Sequence, residues 1–196
     1  MAEHKKDARC KVLVVAGCLA HRYQDEIIKE IPEVDAVLGT TSYGDIVKAL
    51  NEAEAGHVFQ EFKDINALPE DSGRRVITTG GHFGYLKIAE GCDKHCTYCI
   101  IPSLRGKFRS VPEERLLKQA EYMASQGVRE LILVAQETTV YGTDLYGKKT
   151  LHILLKKLCQ IKGIRWIRVL YCYPEEIYDE LIQVMKEEKK ICHYLD

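Results

Sequence analysis

Short apolar runs rich in β-branched residues alternate with longer amphipathic runs along this chain. The apolar runs predict buried parallel strands, and they cover residues 12–16, 34–38, 85–89, 130–135 and 166–171. Each is followed by an amphipathic run with a three-to-four-residue apolar period that predicts a helix, at residues 19–31, 45–55, 113–126, 151–161 and 174–189. Because repeated strand–helix pairs build parallel sheets, the pattern predicts an α/β protein.

The pattern is interrupted between residues 60 and 81, where Pro, paired Gly and mixed charge predict a linker. The chain is thereby divided into a first domain at 1–59 and a second at 82–196. Three strand–helix pairs cannot close a barrel, and a further strand is predicted to begin at 191–195. We therefore interpret the chain as an internal fragment of a longer protein, although an open sheet with covered edges is the alternative.

Composition and charge exclude some classes of function. The formal net charge is −1 and the pI is near 6.7, which gives no overall basic field for direct nucleic-acid binding. Residues 1–11 lack the apolar core of a signal peptide, and no run approaches the roughly 18 apolar residues of a membrane span. We expect a cytoplasmic protein that does not bind membranes.

The run GCDKHCTYC places Cys92, Cys96 and Cys99 directly after a predicted strand. Their polar neighbours disfavour buried thiols, and a zinc site would need His95 or a remote residue as its fourth ligand. An iron–sulfur cluster suits soft thiolates, and three ligands leave one iron open for an exogenous ligand. Because loops after parallel strands carry active sites in α/β proteins, such a cluster would be catalytic.

This spacing resembles that of the radical S-adenosylmethionine (SAM) superfamily, and the flanking segments resemble its methylthiotransferases. The segments that carry this resemblance are residues 15–40, 85–110, 134–147 and 166–177. The resemblance implies the C-terminal part of a small α/β N-terminal methylthiotransferase domain. It implies that the first half of a radical SAM (β/α) partial TIM barrel follows, truncated after about three βα units.

The resemblance also implies roles for individual residues. Cys92, Cys96 and Cys99 would hold a [4Fe–4S] cluster whose open iron binds SAM, and Tyr98 would pack near the adenine or serve as an ordinary wall aromatic. Gln136 and Glu137 would contact the methionine part of SAM, or else brace a loop. Glu137 stands where related sequences more often have Asp.

A second [4Fe–4S] cluster is implied in the full-length protein. Cys18 matches the third of its ligands, and the other two would lie before Met1, whereas Cys10 matches no ligand position. Arg105 is expected either to face an anion or to brace the cluster loop. The remaining thiols, which we expect to be buried in the core, are Cys159, Cys172 and Cys192.

The segments AQET (135–138) and LYCYP (170–174) favour one branch of the methylthiotransferases. That branch methylthiolates the β-carbon of an aspartate in the twelfth small-subunit ribosomal protein, with SAM as radical source and methyl donor and with an external electron donor. The alternatives are a tRNA methylthiotransferase of the MiaB type acting on isopentenyl-adenosine and a zinc-stabilised α/β binding module. We expect the fragment to assemble the SAM cluster but not to complete the reaction.

Overall fold

A computed structural model describes residues 2–7, 9–68 and 75–196, which fall into two compact units. The first unit takes the described residues within Met1–Gly73 together with Cys96–Gly106, and the second takes those within Arg74–His95 and Lys107–Asp196. Parallel sheets with helices in both units confirm the predicted α/β class. The predicted linker, 60–81, includes residues 69–74, which lie outside the described residues.

The first unit contains a three-stranded parallel sheet in the order β1–β2–β3. Its strands are β1 (Val14–Ala16), β2 (Ala36–Leu38) and β3 (Phe59–Glu61). The first two confirm predicted strands in shorter form. Strand β3 was not predicted, because its run FQE has a single apolar residue. It forms by pairing with β2, at the position where the linker was expected to begin.

The helices of the first unit are α1 (Glu3–Lys6), α2 (Cys18–Tyr23), α3 (Asp25–Glu30), α4 (Ile46–Glu54) and α5 (Ile101–Arg105), with a 3-10 turn at Tyr43–Asp45. The single helix predicted over 19–31 is wrong, because Gln24 takes a φ of 38° and separates α2 from α3. Helix α5, which follows the cysteine loop, was not predicted.

The second unit contains a parallel sheet in the order β4–β7–β8 and a small antiparallel pair, β5–β6. The strands are β4 (Phe83–Lys87), β5 (Ala89–Glu90), β6 (Arg109–Ser110), β7 (Glu130–Val134) and β8 (Trp166–Val169). The strand predicted at 191–195 is reduced to a single parallel bridge between Ile167 and Ile191.

The helices of the second unit are α6 (Glu113–Ser125), α7 (Thr143–Tyr146), α8 (Leu151–Cys159) and α9 (Asp179–Glu187), with a 3-10 turn at Pro174–Glu176. The helix predicted over 174–189 is therefore divided, because Ile177 and Tyr178 are extended. Pro112 is the N-cap of α6. None of the helices in the described part of the chain has the length and apolar character needed to span a bilayer.

Helices α6 and α8 bury apolar stripes, and α6 packs on β4 while α8 packs on β8. Because β4, β7 and β8 are parallel, their carboxyl ends lie at the same edge of the sheet. The chain after these ends contains Cys92, the pair Gln136 and Glu137, and residues 170–176. The fold thus gathers most of the predicted site residues of the second unit at one edge.

Candidate functional site

The cysteine loop is divided between the two units. Cys92 follows β5 in the second unit, whereas Cys96 and Cys99 belong to the segment that completes the first. All eight cysteines are free thiols; Cys99 is exposed, and Cys92 and Cys96 are partly buried. No group of three or more His, Cys, Asp or Glu side chains within residues 2–7, 9–68 and 75–196 is arranged to hold a metal ion. The ligand set therefore rests on the spacing in the sequence.

Backbone amides approach two of the three sulfurs. The Lys94 N–H donates to Cys92 Sγ at 3.5 Å, and the Ile101 N–H donates to Cys99 Sγ at the same distance. Hydrogen bonds to cysteine sulfurs are among the features that tune iron–sulfur clusters. Accessible soft donors with N–H groups beside them fit such a cluster.

Within the second unit, the start of the cysteine loop is fastened at three points. The Gly91 N–H donates to Gln136 Oε1 at 2.8 Å, and Asp93 Oδ1 accepts from the Phe108 N–H at 3.0 Å. The third point is an ion pair between Lys94 and Glu176. Gln136 therefore braces the loop, which was one of its two predicted roles; its contact with SAM stays a prediction.

Glu137 lies at the carboxyl end of β7 and is 3% exposed. Its Oε1 accepts from the Thr139 N–H at 2.9 Å and also from the Thr139 hydroxyl. These bonds match the predicted loop-bracing role. A contact between Glu137 and SAM stays a prediction.

Thr138 joins the loops after β7 and β8. Its hydroxyl shares its one proton between Leu170 O, at 2.8 Å, and Tyr171 O, at 3.0 Å, and its N–H donates to Tyr171 O at 3.0 Å. The Tyr173 N–H donates to Thr139 Oγ1 at 3.3 Å. The two segments that discriminate between branches of the family are thus hydrogen-bonded to each other, which their separation in the sequence did not reveal.

A pocket of about 300 Å³ opens beside the start of the cysteine loop. Its polar lining combines a thiol, three carboxylates and two ammonium groups, from Cys92, Asp93, Glu137, Glu176, Lys94 and Lys149. Pockets that bind small molecules commonly begin at about this volume, so there is room for a compact ligand. Opposed charges on its walls suit a ligand that carries both signs.

Electrostatic contacts around Glu176 keep this wall of the pocket charged. Hydrogen bonds from Lys94 and Lys149 hold the pKa of Glu176 below its ordinary value. Burial acts to lower the pKa of Lys94, but the hydrogen bond and charge of Glu176 outweigh it and raise that pKa. The Lys94 ammonium also lies 4.3 Å from the centre of the Tyr173 ring.

In the first unit, Cys18 begins α2 and contacts α5. The Arg105 Nε–H donates to Cys18 Sγ at 3.2 Å. Thr40 Oγ1 donates to Leu104 O at 3.1 Å, and a Cβ at Gly106 would lie 2.9 Å from Ile65 O. Arg105 thus contacts the sulfur of Cys18 and braces α5, the helix that follows the cysteine loop. The two residues are 87 positions apart, so the sequence could not indicate their contact.

His21, on the same helix as Cys18, has a buried Nδ1 without a hydrogen-bond partner. Burial, and then the charge of Arg105, lowers the pKa of His21.

The aromatic predicted to pack near the adenine, Tyr98, is 91% exposed. Its proposed contact stays a prediction.

The remaining thiols were expected in the core. Cys159 and Cys172 are buried, which confirms the prediction for both, and burial raises the pKa of Cys159 to about 11. Cys192 is partly exposed, so the prediction is wrong there. The reason is that the expected strand at 191–195 is reduced to one bridge, which leaves Cys192 outside a regular strand.

Residues 86–196 match the Radical SAM superfamily. A protein of Lachnoclostridium phytofermentans named ribosomal protein uS12 methylthiotransferase RimO is 62% identical to this chain, covering 100% of the chain and 44% of the relative. Proteins with the same name are 52% identical in Clostridium botulinum and 48% identical in Desulfitobacterium hafniense, again covering 100% of this chain and 44% of each relative. The chain therefore spans less than half the length of the curated relatives it matches.

Proposed function

Since this chain belongs to the radical SAM superfamily, we propose that it contributes the SAM-cluster region of an enzyme that methylthiolates an aspartate of ribosomal protein uS12. The observation that carries this proposal is the cysteine loop at the carboxyl ends of parallel strands, fastened to Gln136 through Gly91. The relatives described above bear the name of the ribosomal-protein enzyme, which favours this substrate over a tRNA.

Membership in this superfamily implies an iron–sulfur cluster and SAM. We assign Cys92, Cys96 and Cys99 to the SAM-binding cluster and Cys18 to a second cluster whose other ligands lie outside this chain. When bound there, the first cluster would supply the electron for cleavage of a carbon–sulfur bond of SAM, which yields methionine and a carbon-centred radical. Such a route suits a β-carbon whose C–H bond no side-chain base could deprotonate near neutral pH.

The chain's own residues bind and orient the reactants in this proposal. Gln136 holds the loop that carries Cys92, and Glu137 and Lys149 present charges to the pocket beside it. Tyr98 is assigned to the adenine, and Gln136 and Glu137 to the methionine part of SAM. The ribosomal protein and an external electron donor are the proposed partners, and the cytoplasm is the proposed location.

Anaerobic reconstitution with iron and sulfide tests this assignment. We expect a brown protein with about four irons per chain, and addition of SAM should perturb its electron paramagnetic resonance spectrum. Cys92→Ala should remove most of the iron, whereas Cys10→Ala, the matched control, should retain it. A colourless protein that holds one zinc, with an iron content unchanged by Cys92→Ala, would contradict the proposal in favour of a zinc-stabilised module.

The reaction itself divides into two measurable parts. With SAM and a reductant, the reconstituted chain should release methionine slowly without modifying a uS12 peptide. The reason is that Cys18 is the only ligand of the second cluster that we assign to this chain. A methylthiolated peptide found by mass spectrometry would show that the other ligands are dispensable.

A further inference from the structure

Lys94 and Glu176 form an ion pair across 82 positions of the sequence. Lys94 lies between Cys92 and Cys96, and its own N–H donates to Cys92 Sγ. Glu176 ends the 3-10 turn that follows β8. The pair therefore joins the loop proposed to carry the cluster to a segment that contributes no cluster ligand.

Lys149 anchors Glu176 independently of Lys94. The Lys149 Nζ lies 2.9 Å from Glu176 Oε2 and donates to Glu176 O at 2.8 Å. It also lies 5.4 Å from the centre of the Tyr178 ring. Lys149 binds both the carboxylate and the backbone of Glu176. Glu176 therefore presents its other carboxylate oxygen to Lys94 in a fixed position.

Lys94 is held on two sides, by the Glu176 carboxylate and by the Tyr173 ring. An unrestrained lysine samples many rotamers, and ordering it costs conformational entropy that only favourable contacts can offset. The neighbouring Asp93 is fixed by the Phe108 N–H. Both residues that follow Cys92 are thus restrained, and the backbone bearing its sulfur is restrained with them.

We propose that Glu176 and Lys94 are positioning residues that hold Cys92 in the arrangement needed to bind iron. The inference rests on the proposed function and assigns to that site a pair of residues outside the ligand set. Without the pair, Gly91 and Asp93 still restrain the start of the loop, so the cluster should form. It should form more slowly, however, and lose iron faster, because Cys92 must be ordered during binding.

A second lysine–glutamate pair in the same unit provides a matched control. Lys157 Nζ lies 2.5 Å from Glu113 Oε1 and joins α8 to α6, neither of which is part of the cysteine loop. Its chemistry is the same, and it also links two elements distant in the sequence. Only the pair at the loop should affect iron retention.

The experiment uses the reconstituted chain and measures the rate of iron release to an excess of an iron chelator, with the melting temperature of the iron-free protein alongside. Glu176→Gln and Lys94→Met should each accelerate release about two- to fivefold, within the range measured for partly exposed charge pairs. The double variant should be no faster than the more affected single variant, because the two residues act as one unit. Lys94→Arg, which keeps the charge, should recover most of the wild-type rate.

The controls Glu113→Gln and Lys157→Met should leave the release rate unchanged. Release rates of Glu176→Gln and Lys94→Met equal to the wild-type rate would overturn the inference. The inference would also be overturned if, in all variants including the controls, the rate of iron release rose in proportion to the fall in melting temperature. That result would mean that the pair only stabilises the fold. If Glu176→Gln fails to fold by circular dichroism, Lys94→Met and Lys94→Arg decide the question, since they leave the bonds between Glu176 and Lys149 intact. A wild-type chain that binds no iron would instead contradict the proposed function.

Discussion

The two units use the same parallel strand–helix arrangement but bury very different side chains. In the first unit each strand has three residues, and the buried clusters consist mainly of small residues: Ala20, Val34 and Val37 on one side, and Ala36, Leu38 and Ala49 on the other. In the second unit the fully buried side chains are larger, and they include Leu86, Leu116, Met123, Leu131, Leu133, Leu151, Leu154, Leu155 and Leu158.

Because hydrophobic stabilisation scales with the apolar area removed from water, the second unit has the stronger core. The first unit depends more on single polar contacts, such as the bond from Thr40 to Leu104. A strong core lets the second unit support loops that carry charged residues. The comparison therefore predicts that substitutions of the same kind will have different costs in the two units.

The largest effect is expected from Leu133→Ala in β7. Leu133 is fully buried, and such truncations cost about 2–5 kcal/mol of the free energy of unfolding. Urea titration followed by the fluorescence of Trp166, the single tryptophan, measures the cost in this unit. Leu38→Ala, the same substitution at a fully buried position in β2, is the counterpart and should cost less, at about 2 kcal/mol by far-UV circular dichroism. Equal costs would remove the distinction between the cores.

A smaller effect is expected where a buried threonine joins two loops. Thr138→Val keeps the shape but leaves the carbonyls of Leu170 and Tyr171 without the hydroxyl, at about 1–3 kcal/mol. Thr40→Val removes a donor from the single carbonyl of Leu104 and should cost less. Urea titration of both variants checks the order, with Thr138→Ser and Thr40→Ser as controls that keep the hydroxyl. A costlier Thr40→Val would reverse the comparison.

Each unit also has one non-glycine residue with a positive φ among the described residues: Gln24 at 38° and Tyr171 at 62°. Glycine relieves such strain, so Tyr171→Gly should raise the melting temperature, by the equivalent of about 0.5–1 kcal/mol. Gln24→Gly should gain less, because it also loses the bond from Gln24 Nε2 to His21 O. Calorimetry measures both, and Tyr171→Ala, which removes the ring but keeps a Cβ, is the control. A destabilised Tyr171→Gly would show that ring packing outweighs backbone strain.

The smallest effect concerns pH. Burial lowers the pKa of His152, which contacts the Tyr178 hydroxyl at 3.0 Å, and also that of His21. The unfolded chain therefore binds a proton more readily than the folded chain, and the free energy of unfolding should fall as the pH drops below about 6.5. Urea titrations at pH 7.5 and 5.5 measure this fall. His152→Gln and His21→Gln should each reduce it, and a fall unchanged by both variants would contradict the assignment.

Much of the fold was predictable, because buried parallel strands are continuous apolar runs. β1, β2, β4, β7 and β8 were found in this way, with ends displaced by up to two residues. The misses have local causes. The helix over 19–31 was predicted whole because its apolar period continues through Gln24, where the backbone φ changes sign. Residues 59–61 form a strand only through their partner, so their own composition could not identify them.

The site was predictable only where its residues adjoin in the sequence. The cysteine spacing was evident in the sequence, and Gln136 and Glu137 were singled out by the family resemblance of residues 134–147; their roles toward a cluster and SAM stay predictions. The contact of Arg105 with Cys18 and that of Lys94 with Glu176 were not, since no local pattern encodes which distant segments meet. Spacing thus identified the candidate ligands, and the fold was needed to find what restrains them.

Cys96–Gly106 belongs to the first unit although it lies beyond the linker in the sequence, which matters when the chain is to be expressed as separate pieces. A polypeptide that begins at residue 75 would include α5 but lose Cys18, Thr40 and Ile65, which hold the end of that helix. A polypeptide that ends at residue 68 would lose α5 altogether. No single cut in the linker yields two intact pieces, so the cysteine loop should be studied with residues from both sides of that cut present.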